Sequence, residues 1–264
     1  MCFAPVINCQ HKYMSDINNN VLDDKSSPLQ KTEIQRCFIE TEKRITNVIK
    51  KGSIIHSKIK KSERFLQNHI GSKQTLVVLY VDLVDSTLMM RHFSVDILST
   101  IIQMFNQEMS IAISYFNGHV LKYVGDAVIA FFPISADTTP NGSYNNAINC
   151  AFYMINVLNN AINPILKQNN YGQLHVRIGI DIGEHSIIQY ILEEKTHTDI
   201  IGYGISMACK LTKLVNPDQI ATSHLIYINM NPSLRKRFTE LEISPRIWKY
   251  IDGKMQEGIW KSFI

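Results

Sequence analysis

The chain has 264 residues, 45% of them hydrophobic, and a formal net charge of +4, which supplies one substantial core with an extension and argues against a nucleic-acid-binding surface. Five cysteines (Cys2, Cys9, Cys37, Cys150, Cys209) show no metal-ligand spacing and read as reduced thiols. The longest apolar run, Leu76 to Val84, is far short of a bilayer span, so the expectation is a cytoplasmic protein without stable membrane insertion.

Residues 1–33 are polar and turn-rich, with too little apolar surface to offset chain entropy, and are expected to be disordered. Residues 34–72 lack proline and place Phe38, Ile45, Ile59 and Leu66 at one heptad position and Val48 and Ile55 at the other, which predicts a helical extension able to form a coiled coil. Residues 73–264 form the remaining unit. Thr75 to Val84 reads as a buried strand, and Ile97, Ile101, Phe105, Met109, Ile113 and Phe116 recur at helical spacing. His119 to Val124 and Ala127 to Phe132 are two short apolar strands joined by Gly125-Asp126, a tight hairpin. A second helix is expected over Tyr144 to Gln168, then strands over Leu174 to Ile182 and about Ser186 to Ile191, and a helix over Tyr203 to Leu214. The order strand, helix, strand, strand, helix, strand predicts an α+β fold with a ferredoxin-like βαββαβ sheet, as in polymerase palms.

Asp82 ends a strand whose preceding residues should be buried, so a cation or hydrogen-bond donors must satisfy it. Helix capping is the alternative for an isolated Asp, but Asp85, just before the helix, fits that role better. Asp126 in a Gly-Asp turn is by itself ordinary turn chemistry. In a βαββαβ sheet, however, the end of the first strand and the hairpin tip converge. Two carboxylates meeting there repel unless divalent metals lie between them, an arrangement suited to phosphoryl chemistry. The segment through Ser86 and Thr87 then offers backbone N–H groups at a helix start to β- and γ-phosphates.

Four segments in sequence carry a specific resemblance: Val81-Asp-Leu-Val-Asp-Ser-Thr87, Gly118-His-Val-Leu-Lys-Tyr-Val-Gly-Asp-Ala-Val-Ile-Ala-Phe-Phe132, Val176-Arg-Ile-Gly-Ile-Asp-Ile-Gly183 and Asp199-Ile-Ile-Gly-Tyr-Gly-Ile-Ser-Met-Ala-Cys-Lys210. Together they resemble the signatures of the class III adenylate and guanylate cyclases, over about residues 73 to 264. The resemblance implies a homodimer with active sites at the subunit interface. Each site would combine metal-binding aspartates of one chain with base-selecting residues of the other. It places two Mg²⁺ or Mn²⁺ ions on Asp82 and Asp126, with the Leu83 carbonyl as a further ligand. Lys122 matches the position that reads the purine ring nitrogen and Asp199 the position that accepts from an adenine amine, which favours ATP over GTP. Without that pattern, Lys122 would be an ordinary surface lysine.

Two positions depart from the family. Ser206 stands where an asparagine usually orients the ribose, and Lys210 where an arginine usually stabilises the transition state. Lysine keeps the charge but lacks the planar two-bond fork, and losing one such donor typically costs on the order of 10²- to 10³-fold in rate. Lys254 is the nearest match to a C-terminal phosphate-binding lysine. The leading expectation is an adenylate cyclase making 3′,5′-cyclic AMP. One alternative is a cytidylate or uridylate cyclase of the kind used in bacterial antiphage signalling, for which Ser206 and Lys210 leave room and against which Lys122 with Asp199 speaks. The other is a non-catalytic module for dimerisation or nucleotide sensing, which would have no need of two converging carboxylates.

Overall fold

The computed structural model describes residues 28–51, 59–134, 141–192, 195–243 and 258–263. The expected disorder of the first residues, Ile55 of the heptad pattern and Lys254 lie outside these. The first described elements are helices α1 (Pro28–Lys51) and α2 (Ile59–Gln67), followed by strand β1 (Lys73–Leu83). Helices α3 (Ser86–His92) and α4 (Val95–Tyr115) lead to the hairpin β2 (His119–Val124) and β3 (Ala127–Pro133). Helix α5 (Gly142–Val157), a π turn (Leu158–Ile162) and helix α6 (Asn163–Gln168) return the chain to β4 (Val176–Leu192) and β5 (Lys195–Gly202). The chain continues through α7 (Tyr203–Leu211), a 3₁₀ turn (Thr212–Leu214), β6 (Gln219–Ser223), α8 (His224–Asn229), α9 (Pro232–Arg235), β7 (Phe238–Leu241) and β8 (Ile259–Ser262).

The eight described strands belong to one sheet, ordered β2-β3-β1-β4-β6-β8-β7 with β5 on β4. Its first four positions are the βαββαβ order expected from the sequence, with β1 antiparallel to both β3 and β4. Alternation along β1 divides its side chains between two cores. Val77, Leu79, Val81 and Leu83 face the large cluster under α4 and α5, whereas Leu76 and Val78 face a smaller cluster with Leu66, Ile129, Phe131 and Ala208. Tyr80 and Asp82 share this second face, because side-chain direction repeats every second residue.

Three elements differ from the sequence expectation. The helix expected over 144–168 is interrupted by a π turn just before Pro164, whose missing N–H removes the regular i→i−4 bond. The two strands expected over 174–191 are one, since β4 pairs with β1 along its first half and with β5 along its second. The α1 face expected to pair with another helix is partly used by the chain itself: Ile45 and Val48 are buried in the large cluster. Arg44 fixes the dock by donating to the buried Glu108 of α4 at 2.7 and 2.9 Å, and Thr41 donates to the same carboxylate at 3.3 Å.

Helix α7 lies so close to β4 that only glycine fits beneath it. A Cβ on Gly179 would stand 1.9 Å from the Ala208 carbonyl oxygen. Gly179→Ala should therefore cost about 3 kcal/mol of stability by pushing α7 off the sheet, read from the midpoint of a urea unfolding curve. An unchanged midpoint would contradict this packing.

Candidate active site

The carboxylates meet because of strand register. Asp82 pairs with Ala127, the residue after Asp126, so the hairpin tip lies beside the end of β1. Gly125 provides the turn at φ 62°, a conformation that residues with a Cβ rarely adopt. Asp82, Leu83 and Asp126 line one open cavity of about 560 Å³, together with Ser86 and Thr87 from the start of α3. Asp85 also borders the cavity and occupies the position before α3, but it is left-handed at φ 56° and its side chain makes no capping bond. The capping role expected of Asp85 is thus not met by its carboxylate.

Three cations offset these acids. Arg177 stands directly across from Asp82 on β4, and its buried Nε has no hydrogen-bond partner among the described residues. Arg91 reaches the cavity from α3. Lys213, in the 3₁₀ turn, places Nζ 2.7 Å from Asp82 Oδ2. None of these three was among the site residues expected from the sequence. Arg177 left a usable signal, a charge inside an apolar strand one pairing position from Asp82. Arg91 and Lys213 left none, since a basic residue on a polar helix face is ordinary.

The donor set suits a hard divalent ion such as Mg²⁺ or Mn²⁺: two carboxylates and the Leu83 carbonyl are all oxygens. Among the described residues, no group of three or more His, Cys, Asp or Glu forms a metal cage. The protein ligands are therefore too few alone, and water or the phosphate oxygens of a substrate would complete the coordination. The orphaned Arg177 Nε is a second sign that an anion belongs in this cavity.

Lys122 and Asp199 form a separate cluster. A β-bulge between Val120 and Lys122 shifts the register, so that Lys122 sits opposite Ile129, on the same face as Tyr80 and Asp82. The β4–β5 arm folds over that face, burying Ile187 and Ile200 against Leu121 and Ile129. This brings Asp199 Oδ2 to 2.6 Å from Lys122 Nζ, while Asp199 Oδ1 accepts from the Ile200 N–H at 2.9 Å. Ser206 lies exposed and Lys210 half-buried on α7. None of these four lines the cavity at Asp82.

Two further groups shape this face. Tyr80 lies one pleat before Asp82, and burial, followed by the neighbouring Cys209, raises its hydroxyl pKa. His185 is fully buried at the foot of the arm, where burial lowers its pKa, and its ring packs against Gly202 and Gly204, at which any side chain would collide with it.

Because the Lys122–Asp199 pair is partly exposed, it contributes little to folding. Lys122→Met should change the unfolding free energy by less than about 1 kcal/mol in chemical denaturation. A larger loss would make the pair a structural tie.

The structure is thus a ferredoxin-like sheet on which two carboxylates, one at the end of β1 and one at the β2–β3 turn, border one cavity. The chain belongs to the adenylate and guanylate cyclase catalytic domain family, whose sequence profile matches residues 53–257. It is 42% identical over 80 residues to a cytidylate cyclase of Escherichia coli, a match spanning 29% of this chain and 17% of that protein. The adenylyl cyclase CyaB from P. aeruginosa has a similar fold at 20% identity, with a TM-score of 0.60 over 73% of this chain and 95% of that one. The guanylate cyclase domain of RhGC from Catenaria anguillulae, solved with GTP, is 14% identical, with a TM-score of 0.58 over 73% of this chain and 98% of that one. Among the described residues no helix is long and apolar enough to cross a membrane.

Proposed function

We propose that the chain is a nucleotide cyclase acting on a triphosphate whose base presents an amine beside an unprotonated ring nitrogen on its Watson–Crick edge, and that this substrate is CTP. The observation behind the choice of base is the Lys122–Asp199 pair, one donor beside one acceptor. Such a pair matches a ring nitrogen next to an amine. On the Watson–Crick edge adenine has this arrangement, and so does cytosine; guanine and uracil present there a carbonyl and a ring N–H in reversed order. The pair therefore does not favour ATP over CTP, as the sequence resemblance alone had implied. Similarity to a cytidylate cyclase then favours the pyrimidine. ATP is the second reading, supported by the same pair.

In this proposal Asp82, Asp126 and the Leu83 carbonyl hold two divalent ions, which when bound favour ionisation of the ribose 3′-hydroxyl and neutralise the triphosphate. The 3′-hydroxyl gives its proton to solvent, its oxygen bonds to the α-phosphorus, the bond to the bridging α,β-oxygen breaks, and pyrophosphate leaves with that electron pair. Arg177 and Arg91 bind the phosphates, Ser206 gives the ribose one hydrogen bond, and Lys210 places its charge against the α-phosphate. Lys122, Asp199, Ser206 and Lys210 lie away from the Asp82 cavity, which supports a homodimer in which they complete the partner's site. Lys254, unplaced among the described residues, remains a proposed triphosphate contact.

Incubation with each of the four nucleoside triphosphates in Mn²⁺ or Mg²⁺, with products identified by mass spectrometry, should give cyclic CMP, with GTP and UTP turned over at least about 100-fold more slowly. Cyclic AMP as the main product establishes the second reading, and dominant cyclic GMP or cyclic UMP overturns the reading of a base with an amine beside an unprotonated ring nitrogen. Asp82→Ala and Asp126→Ala should each abolish turnover without lowering the melting temperature appreciably; a fully active mutant would remove the metal assignment.

If sites are shared, mixing Asp126→Ala chains with Lys122→Ala chains should restore part of the activity that each lacks alone. Verified heterodimers without any recovery would place both residues in one site.

A further inference from the structure

Lys213 is the cation in direct contact with Asp82, and what it does beyond neutralising that acid rests on the cyclase reading above. Its backbone is well anchored in the 3₁₀ turn that ends α7. Leu211 and Thr212 are buried, and the Thr212 hydroxyl donates to the Cys209 carbonyl at 2.7 Å. From this base the lysine reaches Asp82 Oδ2, yet its side chain is 64% exposed against 18% for the aspartate. An ammonium this wet forms a pair worth at most about 1 kcal/mol, so Asp82 holds it as a replaceable partner. Arg177 differs, because it is fixed in the sheet opposite Asp82 with its Nε buried.

The cavity thus holds an anchored cation and an exchangeable one beside the same carboxylate. A divalent ion and Lys213 make rival claims on Asp82, and a triphosphate brings oxygens into the same space. We propose that Lys213 positions the triphosphate by exchanging partners. It holds Asp82 until a divalent ion takes the carboxylate, and its ammonium then turns to the β- and γ-phosphate oxygens in its own subunit's cavity. Two consequences follow from linkage. Metal binding frees a cation for the phosphates, and phosphate binding frees a carboxylate for the metal, so each strengthens the other by the same factor. Lys213 acts in the chain that supplies the metal aspartates, unlike Lys210, three residues earlier, which the proposed dimer directs to the partner's site.

The test measures Mn²⁺ binding to the full chain without nucleotide, from the electron paramagnetic resonance signal of free Mn²⁺, and repeats it with a triphosphate analogue carrying a methylene between the α- and β-phosphorus. Removing the rival cation should make Lys213→Met and Lys213→Gln bind Mn²⁺ alone about 2- to 5-fold more tightly than the wild type. The same variants should bind the analogue more weakly, and the gain in Mn²⁺ affinity that the analogue produces should shrink. Lys213→Arg, which keeps the charge, should resemble the wild type, and Asp82→Ala should lose the Mn²⁺ site in every background. A lysine that merely stabilises the turn would shift the melting temperature and leave Mn²⁺ affinity unchanged. Unchanged or weaker Mn²⁺ binding in folded Lys213→Met and Lys213→Gln, in a protein that makes cyclic product, overturns this proposal alone. A wild type with neither an Asp82-dependent Mn²⁺ site nor any cyclic product overturns the cyclase reading, and this proposal with it.

Discussion

Two like charges brought together at one edge of a sheet govern the rest of this site. Asp82 and Asp126 border one cavity because β1 and β3 pair with Asp82 opposite Ala127, and this register cannot slip without moving the whole buried face of β1. Their repulsion is met from three directions: Arg177 across the sheet, Arg91 from the helix after β1, and Lys213 from the turn after α7. These cations also suit a triphosphate. The groups that make the carboxylates tolerable are therefore the same groups that would receive the phosphates once metal ions take the carboxylates over.

A second constraint is the packing of α7 on β4. Gly179 lets the helix approach to backbone contact, and this sets the height at which Ser206, Lys210 and Lys213 stand over the second face of the sheet. The other face is spent on cohesion. Helices α4 and α5 bury their apolar sides there, and the Arg44–Glu108 pair draws α1 onto the same body, so the N-terminal helix is coupled to the catalytic core by a buried charge.

Much of this was legible in the residues. The Leu76 to Val84 run, the Gly-Asp turn and the helical spacing from Ile97 to Phe116 produced the strand order and the meeting of the carboxylates, because local periodicity and tight turns are written in short segments. The β5 strand was not legible. Its sequence, Lys-Thr-His-Thr-Asp-Ile-Ile-Gly, has little alternation, and it exists as a strand through its pairing with β4. The π turn escaped notice because Asn163 and Pro164 sit within an otherwise helical pattern, and the pairing of Lys213 with Asp82 spans 131 positions that no local rule connects. Arg177 was discernible in principle and passed over, since one charge in an alternating strand reads as its solvent side.

The folded-over arm has a consequence of its own. Ile187 and Ile200 anchor it to the chain's own core, so Lys122 and Asp199 are already joined within a single protomer. On the proposed reading, recognition of the base is then preformed before two subunits associate, while bond formation awaits their assembly. Selectivity and turnover would reside on different structural units, and change in the arm could redirect the enzyme to another nucleotide without disturbing the acidic edge where phosphorus chemistry takes place.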